Sequence, residues 1–164
     1  MKFLLAQINP VVGDLEGNAK KILYAASKAS STSADLVLTP ELSLWGYPAK
    51  DLLLKKNLIK NQYQILDQLA LDIFKKYGSL SITVGIAEII NDSFFPNLYN
   101  SIALLECGEW KIIARKIILP TYEVFDEKRY FRSEEKVSVL IKKIKNKTWR
   151  LGFTISIRDL GKSE

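Results

Sequence analysis

The spacing of the apolar residues changes near residue 81, and this change limits the folds that the chain can adopt. In the first half, short apolar runs at 2–8 and 36–38 alternate with segments at 18–29 and 58–77 whose apolar residues recur at helical spacing. The second half is rich in strand-forming residues, in runs at 81–90, 99–106, 109–116, 136–143 and 148–155. This order predicts an α/β fold, an α+β arrangement in which one mixed sheet carries its helices on one face.

Turn and cap residues set the predicted boundaries of these elements. Asn18 or Asp14 is the expected N-cap of the first helix, and Gly78 is the expected C-terminal stop of the second. Cys107-Gly108 predicts the tight turn of a β-hairpin, and Asn146-Lys147 predicts another. With helices on one face only, the other face of the sheet has to be covered by a further layer or by a partner.

The residue types that are missing restrict the chemistry. A chain of 164 residues predicts one domain, and it has no histidine and a single cysteine, Cys107. This composition excludes Ser-His-Asp and Cys-His catalysis, an intramolecular disulfide and multi-cysteine metal sites, so we expect no metal. Because no apolar run approaches the ~20 residues that span a bilayer, we expect a cytoplasmic protein with no membrane partner.

The net charge of +6 raises the alternative of a nucleic-acid-binding module. The lysines of the helical segments are spread along them, as expected for solvated helix faces. The densest basic run, at 142–147, resembles the end of an exposed strand, where lysine commonly prevents pairing with other chains. We therefore expect no nucleic-acid partner.

Three polar residues stand where predicted strands end. Glu41 follows the run at 36–38, Lys116 closes the run at 109–116, and Ser156 follows the last strand. Ligands of α/β sheets bind at strand ends, so these residues predict one site. A carboxylate, an ammonium and a hydroxyl could act there as base, oxyanion partner and attacking atom.

Two longer segments carry a more specific signal. The segment 39–48 could be no more than a strand exit with two turns, whereas the charged, aromatic-rich loop within 115–131 is unusual for a loop without function. Together they resemble the nitrilase (carbon–nitrogen hydrolase) superfamily and, within it, the N-terminal glutaminase domains of glutamine-dependent NAD synthetases. The resemblance covers about residues 1–155. Further matching positions are Gln7–Pro10, Val12–Asp14, Asn18, Asp51–Leu54, Asn97 and Asn100-Ser101.

The resemblance implies a fold, a reaction and a set of site residues. The fold would be part of a four-layer α-β-β-α sandwich, and the substrate would be glutamine or another small amide. Glu41 would be the general base, Lys116 would hold the oxyanion, Glu127 would support the site, and Tyr122 and Phe125 would line the substrate pocket. The hydrolase part would need no cofactor, and ATP would belong to a synthetase domain that these residues do not contain. Family members usually associate, so a homo-oligomer is expected.

The sequence departs from the family at the nucleophile. Where the family has Cys-Glu-Asp, this chain has Ser156-Ile157-Arg158. Cys107 lies in a predicted turn, distant in sequence from this position, and cannot replace the missing thiol. A serine hydroxyl needs a stronger, well-placed base than a thiol does, so we expect little or no hydrolysis. We also expect residues 1–164 to form an incomplete hydrolase domain. The alternative is a non-catalytic fragment or pseudoenzyme that acts by binding a partner.

Overall fold

The computed structural model describes residues 1–90, 94–121, 125–144 and 146–155. Two α-helices, α1 (Leu15–Ser31) and α2 (Lys56–Tyr77), lie in the first half, and short 3₁₀ helices cover Lys50–Leu54 and Glu127–Arg129. The strands are β1 (Phe3–Leu5), β2 (Leu36–Leu38), β3 (Ser81–Ile89), β4 (Leu98–Glu106), β5 (Glu109–Arg115), β6 (Ser138–Ile144) and β7 (Lys147–Phe153). The mixed α/β class predicted from the sequence is confirmed.

The strands form two sheets, so the prediction of a single sheet was wrong. In the larger sheet the order is β1-β2-β3-β4-β5, with β1, β2 and β3 parallel and β4 and β5 antiparallel to their neighbours. Strands β6 and β7 pair only with each other. The Lys142 ammonium donates to the Glu106 carboxylate of β4, which joins this hairpin to the larger sheet. The segment between β5 and β6, residues 116–137, is too long for a hairpin turn, and β6 belongs to the second sheet.

Helices α1 and α2 cover one face of the larger sheet. Apolar residues one or two turns apart, such as Ile22 and Ala26 of α1 and Leu66 and Ile73 of α2, are almost completely buried. They belong to one core cluster with Val37, Ile82 and Val84 of the sheet. The hairpin β6–β7 contacts the larger sheet at β5 and, through Lys142, at β4.

The first helix begins earlier than predicted. Asp14 is its N-cap, and its side chain accepts a hydrogen bond from Gly17 N at 2.9 Å. Asn18, the other predicted cap, is a buried residue inside α1. Its amide bonds both main-chain groups of Val11 and donates to Leu44 O, which ties the β1–α1 loop to the chain after β2.

The predicted turns have mixed outcomes. Gly78 ends α2 with φ +61°, as expected, and Cys107 and Gly108 both have positive φ in the β4–β5 turn. In the second hairpin Ile144 pairs with Lys147, so Lys147 is a strand residue and not part of the turn. Strand β1 is also shorter than the predicted run at 2–8.

Part of the face opposite the helices is exposed and apolar. In β1, Leu4 packs against the core, whereas Phe3 and Leu5 point the other way and are 44% and 74% exposed. No helix in the described ranges is both long and apolar enough to cross a membrane.

Candidate active site

The centre of the candidate site is the ammonium group of Lys116, which is completely buried. Lys116 follows β5 directly, and its Nζ donates to Glu41 Oε1 at 2.7 Å and to Glu127 Oε1 at 2.9 Å. The structure therefore brings together three residues that the sequence singled out, although Glu41 and Lys116 are 75 positions apart. A buried ammonium between two carboxylates is compensated in charge, which an isolated buried charge would not be.

Glu41 reaches this point because its loop lies directly on β3. Leu44 N donates to Gly85 O at 3.1 Å, and Gly85 N donates to Ser43 Oγ at 2.9 Å. Thr39 Oγ1 donates to Thr83 O at 2.7 Å at the start of the same loop. These bonds continue the contact between the β2 segment and β3 beyond the end of β2, so the loop is fixed to main-chain groups of β3.

Glu127 is held by the loop that follows β5. Its main-chain N donates to Pro120 O, and the Tyr47 hydroxyl donates to Glu127 Oε1 at 2.6 Å. Burial raises the pKa of the Glu127 carboxyl, and the hydrogen bonds from Tyr47 and Lys116 oppose that rise without cancelling it. The second oxygen, Oε2, is buried and has no hydrogen-bond partner among the described residues.

Two residues of the site had no predicted role. Asn100 of β4 donates from Nδ2 to Glu41 Oε1 at 2.6 Å, and Tyr47 bonds Glu127 while its ring lies 6.0 Å from Lys116 Nζ. Asparagine is uncommon in strands, so Asn100 inside a strongly apolar run was an available signal. Tyr47 had no comparable signal, because its contact with Glu127 spans 80 positions.

Two cavities adjoin these residues. The smaller, of about 190 Å³, is lined by Glu41 and Asn100 and also by Thr154 and Ile155, which follow β7. The larger, of about 480 Å³, is lined by Tyr47, Phe125 and Glu127. Leu42 contributes to both.

The remaining predicted site residues have different outcomes. Phe125 lines the larger cavity, with its ring centre 6.1 Å from that of Tyr47. Ser156 and Tyr122 lie outside the described residues. Cys107 is exposed in the β4–β5 turn, at the end of β4 remote from Asn100.

The carboxylates of the site are bonded to an ammonium and not arranged as metal ligands. Within the described ranges, no group of three or more Asp, Glu, Cys or His side chains is placed to hold a metal ion. The chemistry available from these residues is proton transfer by a carboxylate and stabilisation of negative charge by the Lys116 ammonium.

Comparison with known proteins assigns the family. The carbon-nitrogen hydrolase family matches residues 5–156, which is most of the chain. The chain belongs to the carbon–nitrogen hydrolase family. Its relatives include the glutamine-dependent NAD(+) synthetase of Synechocystis, 42% identical over 154 residues and covering 92% of this chain. The corresponding protein of Thermotoga maritima is 38% identical and covers 85% of the chain.

Solved structures of the family share the fold. A glutamine-dependent NAD+ synthetase from Acinetobacter baumannii matches 90% of this chain with a TM-score of 0.74 and 33% identity. An amidase from Nesterenkonia matches 90% of it with a TM-score of 0.66 and 21% identity, a level that supports the fold alone. The chain spans 26% of the Synechocystis protein, 26% of the Acinetobacter structure and 53% of the amidase.

Proposed function

We propose that this site is built to hydrolyse the side-chain amide of glutamine or another small amide, releasing ammonia. The observation that carries the proposal is the buried Lys116 ammonium, 2.7 Å from Glu41 and 2.9 Å from Glu127. Membership of the hydrolase family and the names of the NAD synthetase relatives support an amide substrate. The Glu41 cavity and the neighbouring Tyr47–Phe125 cavity together provide space for a small molecule.

The reaction would proceed by acyl transfer. The hydroxyl oxygen of residue 156 attacks the amide carbonyl carbon, and Glu41 takes the proton of that hydroxyl. The π electrons of the carbonyl move onto the carbonyl oxygen. The Lys116 ammonium stabilises this oxyanion. The oxyanion re-forms the carbonyl, the C–N bond breaks, and Glu41 returns the proton to the leaving nitrogen, which departs as ammonia. Water then hydrolyses the acyl ester, with Glu41 again as base.

Glu127 would act by holding Lys116 in place. It bonds the ammonium directly and is itself held by Tyr47. This leaves Lys116 with a fixed position, so that little reorganisation is needed when negative charge develops on the substrate. Tyr47 and Phe125 line the larger cavity and would contact the rest of the substrate.

Ser156 would make the chain a slow hydrolase or an inactive one. Its hydroxyl is harder to deprotonate than a thiol, and the sequence contains no histidine to assist Glu41. The test is ammonia release from glutamine by the natural chain and by the Ser156→Cys variant. We expect the thiol to raise the rate by about 100-fold or more.

A matched variant controls this experiment. Adding Glu41→Gln to Ser156→Cys should remove the gain, because the base is lost while the side-chain shape is kept. A folded Ser156→Cys protein with no gain would show that the nucleophile is not what limits the reaction. Ammonia release that is unaffected by Glu41→Gln would contradict the proposed role of Glu41.

In a longer protein the released ammonia would supply NAD synthesis in the cytoplasm. This extension rests on the names of the relatives, of which the chain spans about a quarter. The hydrolase reaction itself would use no cofactor, and ATP would be used by a separate synthetase domain.

A second candidate function is partner binding without catalysis. Phe3 and Leu5 favour it, because both are apolar and exposed on the sheet face opposite the helices. The partner would be a protein with an apolar surface, and a second copy of this chain would satisfy the requirement. Size-exclusion chromatography tests this candidate, since a compact monomer at all concentrations would contradict self-association.

A further inference from the structure

Asn100 contacts both Glu41 and Lys116, the two central residues of the site. The residue is completely buried in β4, and its side-chain Nδ2 donates to Glu41 Oε1 at 2.6 Å. Its main-chain oxygen accepts from Lys116 N at 2.8 Å. One strand residue thus contacts the base through its side chain and the oxyanion partner through its backbone.

The hydrogen bonds to Glu41 are distributed unevenly between its two oxygens. Within the described residues, Asn100 and Lys116 both donate to Oε1, at 2.6 and 2.7 Å. An oxygen that already accepts two hydrogen bonds has little remaining capacity to accept another, so a transferred proton will go to Oε2. The carboxylate is also fixed in rotation, because a donor in β4 and another just after β5 hold the same atom.

We propose that Asn100 is a positioning residue that fixes the Glu41 carboxylate so that Oε2 receives the proton of the nucleophile. The inference rests on the proposed function, since it concerns the base of that reaction. The nucleophile's proton moves to Oε2, while Oε1 keeps both of its donors. Lys116 alone would leave the carboxylate able to turn about its last bond.

The unpaired oxygen of Asn100 supports this role. Asn100 Oδ1 is buried, and none of the residues that the structure describes gives it a hydrogen bond. An unpaired buried oxygen costs folding free energy, and a leucine of similar size would avoid that cost. Stability alone therefore does not explain an asparagine at position 100, whereas the hydrogen bond that it donates to Glu41 does.

The test measures how fast a thiol at position 156 becomes reactive, and it does not require turnover. In the Ser156→Cys variant of the full chain, the thiol is alkylated by iodoacetamide, and the rate follows the fraction present as thiolate. Cys107, which is exposed and remote from Glu41, is labelled in the same molecule and serves as an internal reference. Peptide mass mapping gives the ratio of the rate at position 156 to the rate at Cys107.

We expect Asn100→Leu to lower this ratio by about tenfold, because the base is no longer held towards the nucleophile. Asn100→Ala provides a second variant in case the leucine protein fails to fold. Ser81→Ala is the matched control: Ser81 is also completely buried and bonds a carboxylate, Glu106, at 3.1 Å, but it lies at the other end of β3. The control should leave the ratio unchanged.

The outcomes separate this inference from the function on which it rests. If Glu41→Gln does not lower the ratio, Glu41 is not the base, and both proposals are overturned. If Glu41→Gln lowers the ratio and folded Asn100→Leu or Asn100→Ala does not, only the role of Asn100 is overturned. If Ser81→Ala lowers the ratio of alkylation rates as much as Asn100→Leu does, the effect comes from general loosening of the sheet. That result would also overturn the role of Asn100.

Discussion

At the scale of single residues, Lys116 is the group on which the local charge balance depends. Its buried ammonium separates the carboxylates of Glu41 and Glu127, and the latter is almost completely buried. Removing one partner of a buried ion pair leaves an uncompensated charge, which is more costly than replacing the whole pair. We expect Lys116→Met to lower the free energy of unfolding by about 3 kcal/mol at neutral pH, measured by urea denaturation.

A double variant checks the cause of that loss. In Lys116→Met with Glu127→Gln the buried negative charge is gone as well, so the double variant should be more stable than Lys116→Met alone. If the two changes destabilise additively, the loss in Lys116→Met comes from packing and not from charge.

The raised pKa of Glu127 predicts a pH dependence of stability. Burial makes the folded protein bind this proton more tightly than the unfolded chain does. Below the unfolded pKa, near 4.3, the carboxyl is protonated in both states and has no effect. As the pH rises through the folded pKa, the folded state loses stability relative to the unfolded state.

Glu127→Gln removes this titration and serves as the reference. The difference in unfolding free energy, natural chain minus Glu127→Gln, should therefore fall as the pH is raised from 4 to about 7. Urea denaturation at several pH values measures it. A difference that rises over this range would mean that Lys116 and Tyr47 outweigh burial at this carboxyl.

The residues of the site were predictable to different degrees. Glu41 and Lys116 could be found because each follows a strand whose apolar run is visible in the sequence. Asn100 lies inside a strand and Tyr47 lies in a loop, so neither has the strand-end position that identified Glu41 and Lys116, and their partners are 59 and 80 positions away. Such contacts depend on how strands and loops pack, and sequence periodicity does not report that packing.

At the scale of elements, the close approach of the Glu41 loop to β3 depends on a glycine. A Cβ at Gly85 would lie 2.9 Å from both Leu42 Cα and Pro40 O, and it would also collide with Leu42 N. These neighbours are backbone atoms that cannot move without shifting Glu41. We expect Gly85→Ala to cost about 1–3 kcal/mol of stability in urea denaturation and to reduce any activity that depends on Glu41.

Gly152 of β7 offers the matched control. A Cβ there would meet no atom of the described residues within 4 Å, and the φ of Gly152 is not in the left-handed region. Gly152→Ala should change the stability by no more than about 0.5 kcal/mol. Equal losses for the two variants would show that the loop adapts to an added methyl group and that the close contact at Gly85 is not limiting.

The element order was predictable, whereas the assignment of strands to sheets was not. Strands β3, β4 and β5 follow one another directly in the sequence, and each pairs antiparallel with the next, so their pairing follows from their order. The apolar and basic residues of β6 and β7 would suit strands that extend the first sheet and also strands that form a second sheet, so composition does not distinguish the two arrangements. Contacts such as that between Lys142 and Glu106 place them, and these form only in the folded chain.

At the scale of the whole molecule, the uncovered part of the sheet connects the fold with the alternative function. Strand β1 lies at the edge of the larger sheet and presents Phe3 and Leu5 to solvent. Edge strands with exposed apolar residues are sites of association in many proteins. The expectation of a homo-oligomer therefore has a specific surface to be tested on.

Leu5→Gln tests that surface directly. The residue is 74% exposed, so the change should leave the stability within about 0.5 kcal/mol while removing apolar surface from β1. We expect weaker fluorescence of a dye that binds apolar surfaces and a smaller apparent mass in size-exclusion chromatography. Leu71→Gln on α2, where the leucine is 42% exposed on the helical side, is the control and should alter neither measurement. If the two variants behave alike, the β1 edge is not an association surface, and the face opposite the helices has no special role in binding.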